Sequence, residues 1–373
     1  MRWFGRKAAR EEGPARPFLL RGAHGVAGGE GFLKDPWPRS YEAQVREGYL
    51  ANAVVQRCVR LVAEAVGSVV VDDASCAPAE AGRLLTGTLL ETVATHLLLH
   101  GNAFVHVALG ADGMPGRLFA LRPERVKVEA DTGGWPAGYR YKAGQAERVY
   151  GPEAIVHLRA LHPLDDHYGL GCLGAAAAAV AVHNAAARWN KALLDNAARP
   201  SGALVYDPGD GAVLSSAQYE RLRQEMEAQF AGADNAGRPM LLEGGLKWQA
   251  MSLSPADMDF VEIKAAAARE IALAFGVPPM LVGLPGDNAY ANYREAVRSL
   301  WRLTVLPMAG KILDGLSEGL AAWWPGLRLA VDVDQVSALH ADRSELWRQV
   351  SEADFLTVEE KREMLGFSRE AER

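Results

Sequence analysis

SPADMDFVEIKAAAAREIALAFGVPPMLVGLPGDNAYANYREAVRSLW, residues Ser254–Trp301, reads as a helix, a Gly-Pro break, an irregular loop and a second helix. Ser254 suits an N-cap, Pro255 the first helical position, and Asp257 an acidic variant of the capping box. Val261, Ala265, Ala268, Ala272 and Phe275 recur at four-three-four-three spacing and predict one narrow seam. A seam built mostly of alanine admits a neighbouring helix closely but buries little area. Gly276 stops this helix, and Pro278 and Pro279 prevent its resumption.

Outward from this stretch, the 373 residues allow two or three domains and a sizeable core. A net charge of −6 argues against a global basic footprint for gripping nucleic acid. Cys58, Cys76 and Cys172 are far apart and lack metal spacing, which fits a reducing compartment without a disulfide framework. No apolar run approaches the length of a membrane span, and the basic start MRWFGRKAAREE has no apolar segment of a secretory signal.

Residues 1–40 show little periodicity and read as an irregular arm. Tyr41 to Val66 is helical in pattern, with Val54, Val55, Cys58, Leu61, Val62 and Ala65 on one face. Val69 to Val71 predicts a short strand, and Leu84 to His100 a helix closed by Gly101. From Asn102 the period becomes two: AFVHVAL, a turn at Asp112-Gly113, RLFAL, RVKVEA, YRYKA, ERVY and AIVHLRAL all read as strands. Together these predict an α+β domain from about Tyr41 to Leu161.

After the loop HPLDDHYGLGCLG, Ala175 to Ala198 predicts a long alanine-rich helix. ALVYD, a helix Leu214–Phe230 and a hairpin of PMLLEGG with LKWQAMSL form a small α/β insert before Ser254. Beyond Trp301 the helical pattern continues to about Trp323 with Pro307 as a kink, then LRLAVDVD reads as a strand and the C-terminus as helical.

Three patterns invite an enzymatic reading. Gly169, Gly171 and Gly174 spell GxGxxG before a helix, but seven loop residues separate them from the strand. Asp207 also lies beyond the expected spacing for a dinucleotide site, so a glycine-permitted loop is the better reading. Gly315, Ser317 and Gly319 spell GxSxG, with Asp334 and His340 downstream in hydrolase order. A nucleophile elbow needs a preceding strand, and KILDGL continues a helix, so Ser317 reads as a helical surface serine. His162, Asp165, Asp166 and His167 offer metal-ligand chemistry inside one loop, without further ligands, and read as a polar loop bonding its own backbone. Arg294, Arg298 and Arg302 stand at four-residue spacing, where a salt-bridged or solvated face competes with a phosphate-facing stripe. The alanine-rich seams of the two long helices suit packing within one subunit or between subunits.

In order along the chain, NAVVQRCVRLVAEAV, HLLLHGNAFVHV with LRPERVKV, IVHLRALHPLDDHYGLGCLGAA, NAARPSGALV, LEGGLKWQAMSLSPADMDFVEIKAAAAREIALAFGVPPMLVG, NAYANYREA and FLTVEEKREMLGF resemble the lambdoid-type portal protein family of long-tailed double-stranded-DNA phages. Short length and Ala/Arg-rich usage resemble its gene-transfer-agent branch. The resemblance runs from about Asn52 to Gly366; DDASCAPAEAGRL is shorter than the family's usual segment there, and residues 1–40 match nothing in it.

The resemblance implies an α+β portal fold: an α/β wing at 41–169, a first stem helix at 170–198, a small α/β clip at 199–253 and a second stem helix at 254–276. A tunnel loop at 277–291, a wing helix and strand at 292–335 and a helical crown at 336–373 complete it. It implies a homo-oligomeric ring, typically of twelve copies, at one capsid vertex of a virion or virus-like particle assembled in the bacterial cytoplasm. Double-stranded DNA would pass through its channel without sequence specificity. Terminase large subunit, head-tail adaptor and major capsid protein would be its partners; no catalytic residue, cofactor, metal or membrane is implied. Pro285, Asp287, Asn288, Tyr290 and Asn292 would form the tunnel loop, Lys264, Arg269, Arg294, Arg298 and Arg302 would face DNA or a neighbouring subunit, and Val261, Ala265, Ala268, Ala272 and Phe275 would pack the stem. Another head-tail connector ring, a NAD-dependent enzyme and a serine hydrolase are the competing readings.

Overall fold

A computed structural model describes residues 19, 40–72, 79–195, 202–206, 215–230, 246–250, 260–284 and 290–365. The N-terminal helical pattern is divided in two. α1 (Tyr41–Gln44) runs into a π turn (Val45–Leu50), and α2 (Ala53–Gly67) starts anew. Asn52 causes the break: it is extended, and its side-chain oxygen accepts from the Val54 and Val55 amides at 3.0 and 3.1 Å. Asparagine competes with helical backbone bonding in an interior and satisfies orphan amides at a start. The buried face of α2 is also rotated from the sequence expectation: Val55, Cys58, Val59, Val62, Ala63 and Val66 are buried, whereas Val54, Leu61 and Ala65 are partly buried.

β1 (Val71–Asp72) and α3 (Ala79–Arg83) lead to α4 (Gly87–His100), which Thr86 caps at its start and Gly101, at φ 80°, at its end. β2 (Asn102–Leu109) and β3 (Pro115–Leu121) form the expected hairpin. β4 (Val126–Ala130), β5 (Pro136–Ala143), β6 (Ala146–Tyr150) and β7 (Ile155–Arg159) follow. They make two antiparallel sheets, ordered β3-β2-β7 and β4-β5-β6. The alternation along β2 decides how these layers stack. Ala103, Val105 and Val107 enter the main core with α2 and α4, while Phe104 enters a second core with Val126, Val128, Tyr139 and Ile155.

α5 (Cys172–Ala175) precedes α6 (Ala177–Asp195), which runs side by side with α8 (Phe260–Ala274). Between them lie β8 (Gly202–Tyr206), α7 (Ser216–Phe230) and β9 (Leu246–Ala250). β8 and β9 pair antiparallel with each other, Leu204 opposite Trp248. PMLLEGG, the expected hairpin partner of LKWQAMSL, lies outside the described residues, as do Ser254, Pro255, Asp257 and Cys76.

α9 (Tyr290–Leu300), a π turn (Trp301–Val305) and α10 (Leu306–Leu320) return the chain to the main core. Pro307 sits in the first turn of α10, directly after the π turn. The expected strand LRLAVDVD shortens to β10 (Ala330–Val331), paired with β1; Asp332 then accepts from the Asp334 amide at 3.0 Å and turns the backbone away. α11 (His340–Glu352) and α12 (Val358–Met364) end the described chain, with the Thr357–Glu360 capping box starting α12.

Candidate nucleic-acid channel site

The Gly-Pro break is anchored rather than loose. The Gly276 amide donates to Leu273 O at 3.0 Å and the Val277 amide to Ala272 O at 2.9 Å, closing α8 with Gly276 at φ 64°. Thr304, in the π turn before α10, donates its hydroxyl to Gly276 O at 2.6 Å. Val277 and Leu281 are buried, and a 3-10 turn at Pro279–Val282 packs against α8 and α9. Pro285, Asp287 and Asn288 lie outside the described residues. Tyr290 opens α9, and Asn292 is exposed on its first turn. The described residues on either side, Val277 to Val282 and Ala296 to Leu300, are seated on the same core.

The five cations do not form one stripe. Lys264 is half-buried on α8, where its charge adds to burial in lowering the pKa of His183 on α6. Arg269 is exposed, and among the described residues neither it nor Lys264 makes an ion pair within the chain. Arg298 pairs with Glu295 at 2.9 Å and brings Nε within 3.3 Å of Asp342, at an angle that makes no hydrogen bond, so it links α9 to α11. Arg294 and Arg302 are exposed. Arg302 stands in the π turn, whose wider repeat takes it off the four-residue row.

The seam of α8 is broader than its five-residue pattern. Ala268, Ala272 and Phe275 are buried together with Ala267 and Ile271, Ala265 is half-buried, and Val261 is 79% exposed. Ala267 and Ile271 were readable as the adjoining i, i+4 row, which a four-three template passes over. This face packs inside the subunit, on α6 and α2. Asn52 secures the same junction: its amide donates to Asn184 Oδ1 at 2.8 Å and lies 3.2 Å from His183 Nδ1, while Asn184 donates to Glu47 O at 2.9 Å. Opposite its packed side, α6 exposes Ala178, Val182, Ala185, Trp189 and Ala192 at four-three-four-three spacing, and α8 exposes Ile263 and Leu273 besides Val261.

The first two glycines of GxGxxG serve backbone contact, whereas Gly174 has open space around it. A Cβ on Gly169 would strike Gly101 O and Ala160, and one on Gly171 would strike Leu99 O. Buried Asn102 pins this loop: Oδ1 accepts from the Gly169 amide at 2.7 Å, and Nδ2 donates to Gly169 O at 3.2 Å. No sequence signal distinguishes Asn102 from an ordinary strand-start residue. Asp165 accepts from the His167 and Tyr168 amides at 2.7 and 3.0 Å, and His167 Nε2 donates to Gly134 O at 2.6 Å. Among the described residues, no cluster of three or more His, Cys, Asp or Glu could hold a metal.

Ser317 is buried, contrary to the surface position expected for it. Its hydroxyl donates to Leu313 O at 2.8 Å and accepts from the Leu329 amide at 2.9 Å. Gly315 and Gly319 let α10 lie directly on β7, where a Cβ at Gly319 would come within 2.7 Å of Val156 Cγ1. His340 contacts Asp334 only through its backbone carbonyl, while the Asp334 carboxylate binds Arg343 at 2.6 Å. Burial pushes the Cys58 thiol up to about 12, far from a reactive thiolate.

His157 Nε2 donates to Asn102 Oδ1 at 3.1 Å, and its ring stacks on Phe104 with centroids 4.2 Å apart. Burial, reinforced by Arg159, lowers its pKa to about 3; burial and Arg122 lower that of His96 to about 4. Both are neutral in the folded chain, whereas unfolded histidine takes a proton below about 6.5. Their stabilising contribution is therefore complete above about pH 6.5 and shrinks as pH falls toward their folded values. Thermal or urea unfolding is expected to show stability falling by up to about 2.7 kcal/mol per pH unit near pH 5 from this pair. An additional His157→Gln substitution should roughly halve that slope.

The sequence model of the family described as Phage portal protein matches residues 53–366. The chain belongs to the phage portal protein family. A chain from the neck of a native gene transfer agent particle, solved with C12 symmetry, is 46% identical, with 92% of this chain and 97% of that one covered at a TM-score of 0.68. A Rickettsia felis protein is 39% identical over 352 residues, 86% of this chain and 88% of its own length. The crystal structure of a portal protein of the HK97 family from Corynebacterium diphtheriae shares the fold at 17% identity, covering 80% and 96% of the two chains at a TM-score of 0.58. The expected α+β portal fold is thus the observed one. As a portal protein the chain belongs to the DNA channel of a phage-like particle, a structural rather than enzymatic family role.

Proposed function

We propose that twelve copies close into a ring in which α6 and α8 form the stem of the channel, and that the tunnel loop at 277–291, with Asn292 just after it, narrows it. The observation that carries this is the second apolar face of α6. Ala178, Val182, Ala185, Trp189 and Ala192 are exposed although the opposite side of the helix already packs on α8. A helix apolar on both sides requires a second neighbour, and α8 of the next copy offers Val261, Ile263 and Leu273. Val261 then belongs to packing between copies, while Ala268, Ala272 and Phe275 pack within one. C12 symmetry in the neck of the related particle supports twelve copies. The wing, clip and crown take the spans given above, with the clip meeting terminase and later the head-tail adaptor, and the wing meeting the major capsid protein.

A channel of this kind must let a duplex slide. Every phosphate that a ring neutralises adds salt-dependent affinity, about 0.9 log unit per log unit of salt. The exposed charges of α8 are Glu262, Arg269 and Glu270, one base against two acids, which supports a lining that does not hold DNA fast. Asn288, Tyr290 and Asn292 would supply neutral polar contacts at the constriction. Replacing Asn288 and Tyr290 by alanine is expected to leave rings of unchanged mass and to reduce DNA packaged per particle at least severalfold. Wild-type packaging and retention in that variant would remove the constriction from this loop.

A further inference from the structure

The geometry points to a docking site for an acidic peptide segment of a partner protein, built on Arg117, Phe119, His106, Tyr150 and Arg148 where the two small sheets open to solvent. Phe104 and Ile155 of one sheet meet Val126, Val128 and Tyr139 of the other in the second core. The strand register continues both inner faces outward from there. On the first sheet His106 stands across from Phe119, and Ala108 across from Arg117. On the second, Tyr139 stands across from Tyr150, and Tyr141 across from Arg148, while Arg140 and Val149 take the opposite face. Exposure rises along the first inner face from 0% at Phe104 to 43% at Phe119.

The five side chains form one row. The His106 ring centroid lies 4.6 Å from that of Tyr150 and 6.5 Å from that of Phe119. Arg117 stands over the Phe119 ring at 5.1 Å and Arg148 over the Tyr150 ring at 5.3 Å. A guanidinium held over a ring keeps N–H groups for a carboxylate. Those donors are unspent: among the described residues neither arginine makes a hydrogen bond or ion pair, and the His106 ring and Tyr150 hydroxyl make no hydrogen bond. The acids nearest along the strands are engaged elsewhere. Glu147 binds Arg140 on the opposite face of β6, Asp112 accepts the Met114 amide at 3.1 Å within its own turn, and the Glu153 carboxylate lies against Gly151. Burial, and after it Arg148, lower the pKa of His106, with no acid acting against them. The row therefore carries a positive charge at each end and a neutral imidazole between them.

The composition of the row selects the partner. Aromatic residues and arginine are enriched at the centres of protein–protein contacts, where lysine and glutamate are depleted. Nucleic acid fits less well, because Phe119 and Tyr150 each already have an arginine over the ring on which a base would stack. Two cations separated by three rings also make no continuous track for a phosphate backbone. An extended segment that turns carboxylates to Arg117 and Arg148 and an apolar side chain to Phe119 would engage the whole row. The presence of such a partner beside the wing rests on the portal reading, whereas the docking itself is measurable on the purified full-length chain.

The test is fluorescence anisotropy of a short labelled peptide of glutamates around a central phenylalanine, titrated with the full-length protein. Saturable binding is expected, and Arg117→Gln/Arg148→Gln should weaken it by at least about tenfold, the worth of one charge-assisted hydrogen bond. Both arginines are exposed and bond nothing else in the fold, so the unfolding temperature of that variant should change little. A peptide with alanine in place of its phenylalanine should bind severalfold more weakly. No saturable binding to the wild type overturns the proposal, as does undiminished binding to the double variant or equal binding of the alanine peptide. Equal binding of a peptide with lysine for glutamate overturns it too. Unlabelled duplex DNA that competes as well as unlabelled peptide at equal charge would assign the row to phosphates and likewise overturn it. Native mass, measured on the same samples, reports on ring formation independently.

Discussion

Val182→Asp/Trp189→Asp is expected to convert rings into monomers while leaving the subunit folded. In the single chain these side chains are 41% and 50% exposed, so aspartate there meets water and unfolding temperature should change little. In a ring the same positions would be covered at every subunit contact. An unpaired carboxylate taken out of water costs several kcal/mol, and two per contact repeated around a closed ring exceed what a contact between subunits supplies. Native mass spectrometry or mass photometry gives the answer directly. Rings of wild-type mass in the doubly substituted protein would show that the outer face of α6 is not a subunit contact.

Asn102→Leu is expected to cost about 3–5 kcal/mol and to lower the unfolding temperature by on the order of 10 °C. Leucine matches the volume but leaves the Gly169 amide and His157 Nε2 without the acceptor they share, and Gly169 O without its donor. The glycine contacts make relaxation difficult, because the loop lies against Gly101 and Ala160 at backbone distance. Asn102→Asp, which keeps the acceptor, should retain part of the stability at neutral pH. A loss below about 1 kcal/mol for the leucine variant would mean that the loop finds water or other partners in place of Asn102.

Legibility followed the range of the interactions. Periodicity located the hairpin from Asn102 to Leu121 and the strands through Arg159, since alternation reports burial on one face. It could not show that β2 is covered on both faces, with Phe104 in one core and Val105 in the other, because that depends on a sheet folded back from later in the chain. The same limit applies to Ser317. Its helical setting was readable, but its burial arises from the Leu329 amide and from Gly315 and Gly319 meeting Val156 and Leu158. The arginine row shortens for a more local reason: a π turn at Trp301 takes Arg302 off the repeat that Arg294 and Arg298 keep within α9.

For the Ser254–Trp301 stretch the division is clear. The sequence alone determined that a helix ends at Gly276, that Pro278 and Pro279 forbid its continuation and that another begins near Tyr290, because glycine and proline act through their own backbone torsions. Through a series of such blocks in order it also carried the family. Tertiary structure decided that the break is held by Thr304 and by buried Val277 and Leu281, and that Ala268, Ala272 and Phe275 face the same subunit. It alone revealed the exposed apolar face of α6. A side chain's periodicity says which side of an element is apolar or charged; only the packing of distant segments says which of those sides is already covered.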